Sequence, residues 1–499
     1  MQAQTTSVEP EVTSYLSSDH IQMFVGGKWT DSDSGEMLDV IDPGFGRRIA
    51  RVSAGGASDI GRAVDAAQDA FRRGSWAKMP ANDRAVIIHR LADLVDKHRR
   101  VLAQIESMDV GKPISQSYNY DIPKVSESLR FYADLSVHTR RREPIAVSGY
   151  ESYTNKQPYG VCGFIFPWNF PLQLLGIGIA PALAAGNTVV VKPAEDTPLT
   201  SLYFGKLVQQ AGVPDGVINV VPGLGRTAGA ALASSKGIRR MSFTGSPETG
   251  RSVAEACGRN LVPVKLELGG KGAAVVFDDV DLASAAKGLS NALTLNAGQV
   301  CCTATRWLIQ EDILDKFVDQ AVSDLQAVKI GHGLESGTEM GPLVSQKQKD
   351  RVLGYLKKGE DEGAKTLLSG GAVSIKGHES GFYVTPAVLA GSPDNICAKE
   401  EIFGPVAYVM PFRNEDDAIE LVNRSDYGLA NSVWTKDIDK ANRVAESLVV
   451  GINYVNTHND IPMGVPFNGW NRSGFGGGVL GADTLLDYFR NQSVTRPRT

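Results

Sequence analysis

Between residues 157 and 191 the chain carries no Asp, Glu, Lys or Arg, a run long enough to cross a bilayer. Pro167, Pro171 and Pro181 interrupt it, along with Trp168, Asn169 and several glycines, so a single lipid-exposed helix there would lose too many backbone hydrogen bonds. The run reads as buried protein interior: a short strand GVCGFIF, a turn at PWNFP, a helix, then the strand NTVVV entering the loop KPAEDTP. Strand and helix alternate from there, with a helix over Leu199–Ala211, the strand VINVV, a helix over 227–235, the strand IRRMSF and a helix over 247–257. This alternation predicts parallel strands joined by crossover helices. Each strand ends in a glycine or polar turn (KPAE, PGLGRTAG, FTGSPETG), and in a doubly wound sheet a ligand lies at those carboxyl ends. VKLEL follows as an alternating strand. Beyond LGGK the pattern restarts with AAVVF, a helix from Leu282, RWLIQ and a helix from Asp312, continuing to about Val465. Two α/β domains with a cleft between them are the expectation.

Length agrees, since 499 residues exceed what one hydrophobic core organises. The 51 Lys plus Arg against 56 Asp plus Glu give a formal charge of -5 with no long basic run, which argues against nucleic acid as a partner. Five cysteines at irregular spacing form neither a disulfide framework nor a metal-binding pattern, so a reducing cytoplasm and no metal are expected. The N-terminal MQAQTTSVEPEVTSYLSS is polar and acidic, lacks the marks of a signal peptide, and reads as a loose arm; no membrane association is expected.

Against that economy of cysteine, NAGQVCCTATR places Cys301 and Cys302 side by side. Packing alone would account for such a pair, because unpaired cysteine is a small hydrophobe. A nucleophile would need a base, and Glu267 of VKLELGGK is a candidate: flanked by Leu266, Leu268 and two glycines, it should be partly buried, which raises a carboxyl toward the range useful for proton abstraction. Its plainer reading is an outward-facing carboxylate of an alternating strand. Thr244, Gly245 and Ser246 open a helix whose free N–H groups suit a pyrophosphate, or simply cap it. Glu195 at a strand end could hold the hydroxyls of an adenosine ribose. GLGRTAG, with Gly225, lacks the spacing of a dinucleotide fingerprint.

Taken together, FPWNFP, KPAEDTP, FTGSPETG, LELGGK, GQVC and EEIFGPV stand in the order and spacing of the NAD(P)-dependent aldehyde dehydrogenases, and the resemblance runs from about Phe24 to the C-terminus. It implies a Rossmann-like NAD-binding domain over 1–140 and 158–268, a second α/β catalytic domain over 269–465, and a small β oligomerisation element from strands at 141–157 and 480–499. By resemblance the nucleophile is Cys301, two residues after Gln299, the oxyanion donor is Asn169 with the Cys301 N–H, and Glu267 activates the water that hydrolyses a thioester. Cofactor contacts fall on Phe166, Trp168, Lys192, Glu195, Gly225, Thr244, Gly245, Ser246, Leu268, Glu401 and Phe403, with NAD expected and NADP as the alternative. The substrate is a small-molecule aldehyde, and the chain is expected to form a homodimer or homotetramer.

The tunnel positions carry Phe170, Ile177, Val300, Cys302, His458, Asp460, Ile461 and Phe467, with Lys124 at the rim. A polar or cationic aldehyde could use Asp460; an aromatic one would suit Phe170 and Phe467. The match loosens near the C-terminus, where PFNGWNRSGFGGGVLG replaces the usual pattern. Many relatives also carry a Lys and a Glu where this chain has Gly178 and Gly478, and the expectation is that these glycines face each other across a water-filled space behind Glu267.

Overall fold

The computed structural model describes residues 7–498. The uncharged run folds as strand Val161–Ile165, helix Pro171–Ala185 and strand Thr188–Lys192, and almost all of it is buried. Five parallel strands form the centre of an eight-stranded sheet, in the order Ile218–Val220, Thr188–Lys192, Val161–Ile165, Arg240–Thr244, Val264–Glu267. The first of these strands in the chain is therefore central, with later strands added on one side and then the other. At such a reversal two adjacent crossovers run to opposite faces, and a crevice opens at the strands' carboxyl ends. Two early strands, Met23–Val25 and Lys28–Thr30, extend one edge of this sheet, and Gly474–Phe475 pairs antiparallel with Val264–Glu267 at the other.

A second, seven-stranded sheet carries Gly272–Val276 in its interior, flanked by Ala304–Gln310 and Ala430–Trp434, and is parallel except for its edge strand Lys365–Leu368. Its apolar strand residues pack on both faces, as a parallel sheet covered by helices requires. The architecture is thus α/β with two mainly parallel sheets. A third sheet of three antiparallel strands, Arg142–Val147, Tyr150–Pro158 and Phe489–Pro497, stands apart and exposes Ile145, Val147 and Tyr150.

Three local readings differ from expectation. Residues 1–6 of the expected loose arm lie outside the described residues, but Pro10–Leu16 is a helix. Val12 is fully buried there, and Tyr15 meets the Tyr203 ring edge-on at 5.2 Å, so an acidic segment docks through its few apolar side chains. Within 480–499, Ala482–Tyr488 is a 3-10 helix whose Leu485 and Tyr488 join the first sheet's core; the strand begins only at Phe489. The helix expected over 227–235 is a wide turn at Gly225–Gly229 followed by Ala230–Ala233. Among the described residues no helix is long and apolar enough to cross a membrane, and no cluster of His, Cys, Asp and Glu is arranged to hold a metal.

Candidate active site

The cysteine pair follows helix Leu282–Thr294 on an abrupt turn. Asn296, Ala297 and Gly298 take φ of 47°, 54° and 74° in succession, a left-handed run that Asn and Gly tolerate and Ala297 adopts only under constraint. The constraint is visible. Asn296 Nδ2 donates to the Asn169 carbonyl at 2.9 Å, and Asn169 Nδ2 donates to the Gln299 carbonyl at 3.0 Å. Gln299 Nε2 returns to the Asn296 carbonyl at 2.9 Å, while its Oε1 accepts the Val344 N–H at 2.9 Å. Asn169 in the PWNFP turn is therefore tied to the loop two residues before Cys301. Asn296 and Gln299 are positioning residues that the sequence reading passed over, although Asn before Ala-Gly is a residue type that tolerates this backbone.

The turn presents Cys301 half-buried and Cys302 buried, the latter with its thiol on Asn459 Oδ1 at 3.5 Å. A hydrogen bond to Cys302, then burial, then the negative charges of Glu401 and Glu267 hold the Cys301 thiol well above its ordinary range. The thiolate is the reactive form, so this setting opposes its formation.

Cys301 and Glu267 open on the same cavity at the reversal of the first sheet, where Phe166 and Thr244 also emerge from adjacent strands. Glu267 is buried with both carboxylate oxygens lacking a hydrogen-bond partner. Burial pushes its carboxyl upward, with the Lys265 cation pulling the other way. The remaining wall joins Phe170, Ile177, Leu268, Val300, Cys302, Ile461 and Phe467 to residues the sequence did not single out: Tyr120, Gln173, Leu174, Leu295, Leu429, Val479 and Leu480. Most are aliphatic or aromatic, and such residues look like ordinary core in a sequence. Asn169 is buried but is not part of the wall, its amide being engaged with Gln299.

Two further groupings converge. At the end of strand Thr188–Lys192, Lys192 Nζ donates to Glu195 Oε2 at 2.9 Å, and the Gly225 N–H lies 3.4 Å from Glu195 Oε1. Burial opposes the Glu195 charge, but Lys192 and nearby N–H groups outweigh it and keep this carboxyl below its ordinary value. On the other side, Glu401 Oε1 accepts the Gly270 N–H at 2.9 Å, and burial raises the Glu401 carboxyl to about 7. A Cβ on Gly269 would lie 2.3 Å from the Glu401 carboxylate, and one on Gly270 would lie 2.3 Å from the Cys301 carbonyl, so only glycine lets these three segments meet. Phe403, with φ of 64°, meets the Trp168 ring edge-on at 5.2 Å. Its loop is tied down by Gln348 Nε2 and by Arg351 Nη2, which donates to the Glu401 carbonyl. Ser246 caps helix Pro247–Arg259, accepting the Thr249 N–H, and Gly245 donates to the Glu267 carbonyl at 3.0 Å.

Several expected pocket residues lie elsewhere. His458 Nε2 donates to the Cys302 carbonyl at 2.8 Å, and burial lowers the ring to about 4; it faces a neighbouring open groove, outside the cavity wall. Asp460 is exposed and also outside the wall, because the chain turns over at Asn459, which is buried with φ of 61°. Lys124 pairs with Glu127 at 2.8 Å. Gly178 and Gly478 are not separated by water alone. The Tyr488 hydroxyl donates to the Gly178 carbonyl at 3.4 Å, Lys265 Nζ donates to the Gly478 carbonyl at 3.2 Å, and that ammonium lies 5.6 Å from the Tyr488 ring. At Gly178 itself a Cβ would lie 2.6 Å from the Phe166 ring.

A profile described as the aldehyde dehydrogenase family matches residues 29–494. A mitochondrial aldehyde dehydrogenase of Rattus norvegicus is 41% identical over 478 residues, covering 95% of this chain and 91% of the relative. Retinal dehydrogenase 2 of Homo sapiens is 40% identical over 492 residues, covering 97% and 93% respectively. Among solved structures, the NAD+ complex of an aldehyde dehydrogenase from Bacillus cereus superposes with a TM-score of 0.96 at 38% identity, covering 99% of this chain and 100% of that one.

Proposed function

Since the chain belongs to the aldehyde dehydrogenase family, we propose that it oxidises an apolar or aromatic aldehyde to the carboxylic acid with NAD+, through a thioester on Cys301. The observation that carries this reading is the placement of Cys301 and Glu267 on one largely apolar cavity. The Cys301 thiol gives its proton up to solvent, and sulfur adds to the aldehyde carbon. Negative charge develops on the former carbonyl oxygen, where the Cys301 N–H and the second hydrogen of the Asn169 amide are the candidate donors. Bound NAD+ supplies the acceptor for the hydride that leaves the thiohemiacetal carbon. Glu267 then deprotonates water, hydroxide adds to the thioester carbon, and the C–S bond breaks to release the acid and regenerate the thiol. The balance is aldehyde, NAD+ and water giving acid, NADH and a proton.

The residues fit such a dinucleotide. Lys192, Glu195 and Gly225 form a polar corner at a strand end suited to an adenosine ribose, and the Glu195 charge disfavours a 2'-phosphate, so NAD is preferred over NADP. In this reading Trp168 and the start of helix Pro247–Arg259 at Gly245 and Ser246 serve the pyrophosphate, Thr244, Leu268 and Phe166 line the cavity beyond, and Glu401 and Phe403 serve the nicotinamide half. Phe170, Ile177 and Phe467 offer apolar walls, whereas exposed Asp460 offers the substrate no counter-ion. The exposed apolar residues of the small third sheet support assembly into a homodimer or homotetramer.

The test is NADH formation by the purified protein with benzaldehyde, an aliphatic aldehyde and an amino aldehyde, with no coenzyme A or phosphate present. Turnover with benzaldehyde and not with the amino aldehyde is expected. A strict requirement for coenzyme A would replace hydrolysis by acyl transfer, and sedimentation as a monomer alone would remove the assembly.

A further inference from the structure

Glu267 stands on a strand beside a second buried charge. Lys265 and Glu267 are two residues apart in Val264–Glu267, so their side chains leave the same face. Lys265 is 0% exposed and Glu267 6%. Neither makes a close ion pair. The Lys265 ammonium has the Gly478 carbonyl at 3.2 Å and the Tyr488 ring at 5.6 Å, and the Glu267 oxygens have no hydrogen-bond partner. The other carboxylate whose charge acts on Lys265 is Asp487 on Ala482–Tyr488, but it lies beside another cation: Arg240, on the adjacent strand, reaches Asp487 Oδ2 at 3.8 Å and the Gly476 carbonyl at 3.0 Å. On its cavity side Glu267 faces Cys301, which adds negative charge when ionised. A buried carboxylate so placed would stay protonated, and a buried ammonium would lose its proton, unless each had the other.

We propose that Lys265 is a positioning residue for the hydrolytic step, its buried ammonium supplying the counter-charge that lets Glu267 be ionised when the attacking water must lose a proton. The inference rests on Glu267 being the base. Each group's shift by burial is opposed by the charge of the other, which agrees with this arrangement. The Gly478 carbonyl and the Tyr488 ring hold the ammonium in place; because Lys265 does not reach the Glu267 oxygens, it acts through its field and leaves the carboxylate free to meet water. Removing the cation raises the Glu267 carboxyl further, so the acid limb of thioester hydrolysis moves to higher pH while the cysteine, the oxyanion donors and the cofactor residues are untouched.

Single-turnover reactions of the full chain with NAD+ and limiting benzaldehyde test this, with NADH followed by stopped flow and benzoate by acid quench, across about pH 6 to 10. Lys265→Gln keeps a donor for the Gly478 carbonyl and removes the charge; Lys265→Arg restores it. The expected result for Lys265→Gln is an acid limb of benzoate release shifted up by about 1 pH unit, hence about tenfold slower release on that limb. The final NADH yield should remain near one per benzaldehyde added, and Lys265→Arg should return the limb toward wild type. An acid limb for Lys265→Gln that coincides with wild type overturns the proposal, as does an equal fall in rate at every pH, which is the mark of a purely structural part. Absence of NADH from the wild type would instead overturn the assignment of Glu267 and Cys301 on which it rests.

Discussion

The contact between the two cysteine thiols predicts an unusual response to Cys302→Ala. An ordinary cysteine ionises near 8.5, so about 3% is thiolate at pH 7. Cys301 is held above that, first by the hydrogen bond to Cys302. A net hydrogen bond of about 1 kcal/mol corresponds to about fivefold in the thiolate population. Deleting the Cys302 thiol should therefore make Cys301 about five times more reactive at a fixed pH below its ionisation. The small cavity left beside Asn459 should cost little stability, since only one sulfur is removed. The assay is alkylation by iodoacetamide at several pH values, with modification of residue 301 read by mass spectrometry. In the wild type the rate should keep climbing through pH 9 without a plateau. Cys302→Ala should be faster throughout and still oxidise aldehyde, while Cys301→Ala should not oxidise it at all. A plateau near pH 7 in the wild type, or slower alkylation of Cys301 in Cys302→Ala, would refute the argument that Cys302 restrains its neighbour.

Three other changes have defined outcomes. Glu267→Gln should lower steady-state turnover by about 10² to 10⁴ and leave a near-stoichiometric burst of NADH; a lost burst would show that proton removal from the thiol has no other acceptor than Glu267. Glu195→Gln removes the carboxylate that repels a 2'-phosphate, so the preference for NAD over NADP in kcat/KM should fall about tenfold, and an unchanged ratio would mean that Glu195 turns away from the ribose. Lys112 and Asp121, both fully buried and 2.7 Å apart, sit beneath the cavity with the ammonium 3.9 Å from the Phe170 ring centroid; Lys112→Met should cost about 3 to 5 kcal/mol by stranding the carboxylate. Burial already raises Asp121 and brings Glu106 to about 7, both against the pull of Lys112. Without it their folded-state values rise further above the unfolded ones. The variant's relative stability is then best at low pH and is lost as pH rises through those values, so its melting deficit should be larger at pH 8 than at pH 5. A deficit independent of pH would contradict the electrostatic account.

The parts of this site that the sequence exposes, and those it conceals, separate along a physical line. Strands ending in glycine or polar turns announce themselves through period and composition, and helix Leu199–Ala211 is found where the pattern puts it. Cys301, Glu267, Glu195 and Lys192 stand out because a polar or reactive side chain interrupts an apolar stretch or ends a strand. The far wall of the cavity does not, because Leu174, Leu295, Leu429 and Val479 differ from core residues only in facing an empty volume. His458 and Asp460 were misplaced for another reason: their side depends on the backbone at Asn459, and a single left-handed residue reverses what its neighbours face.

Lys265 is the sharpest case. In VKLEL the alternation of charge and leucine has the form of a half-exposed strand with Lys265 and Glu267 turned to water. That form holds only if one face of the strand is wet. Here Gly474–Phe475 covers the strand's edge, and Tyr488 from Ala482–Tyr488 and the Gly478 carbonyl cover the face that carries the charges, all supplied from more than two hundred residues later in the chain. The same pattern of residues thus becomes two opposite charges shut inside the protein. A lone lysine or a lone glutamate could not remain ionised in such a place, and the pair can because each offsets the other's desolvation. What looks in the sequence like a solubilising face is in the fold the setting that fixes the charge of Glu267, and no local property of VKLEL distinguishes the two until the C-terminal segment is folded over it.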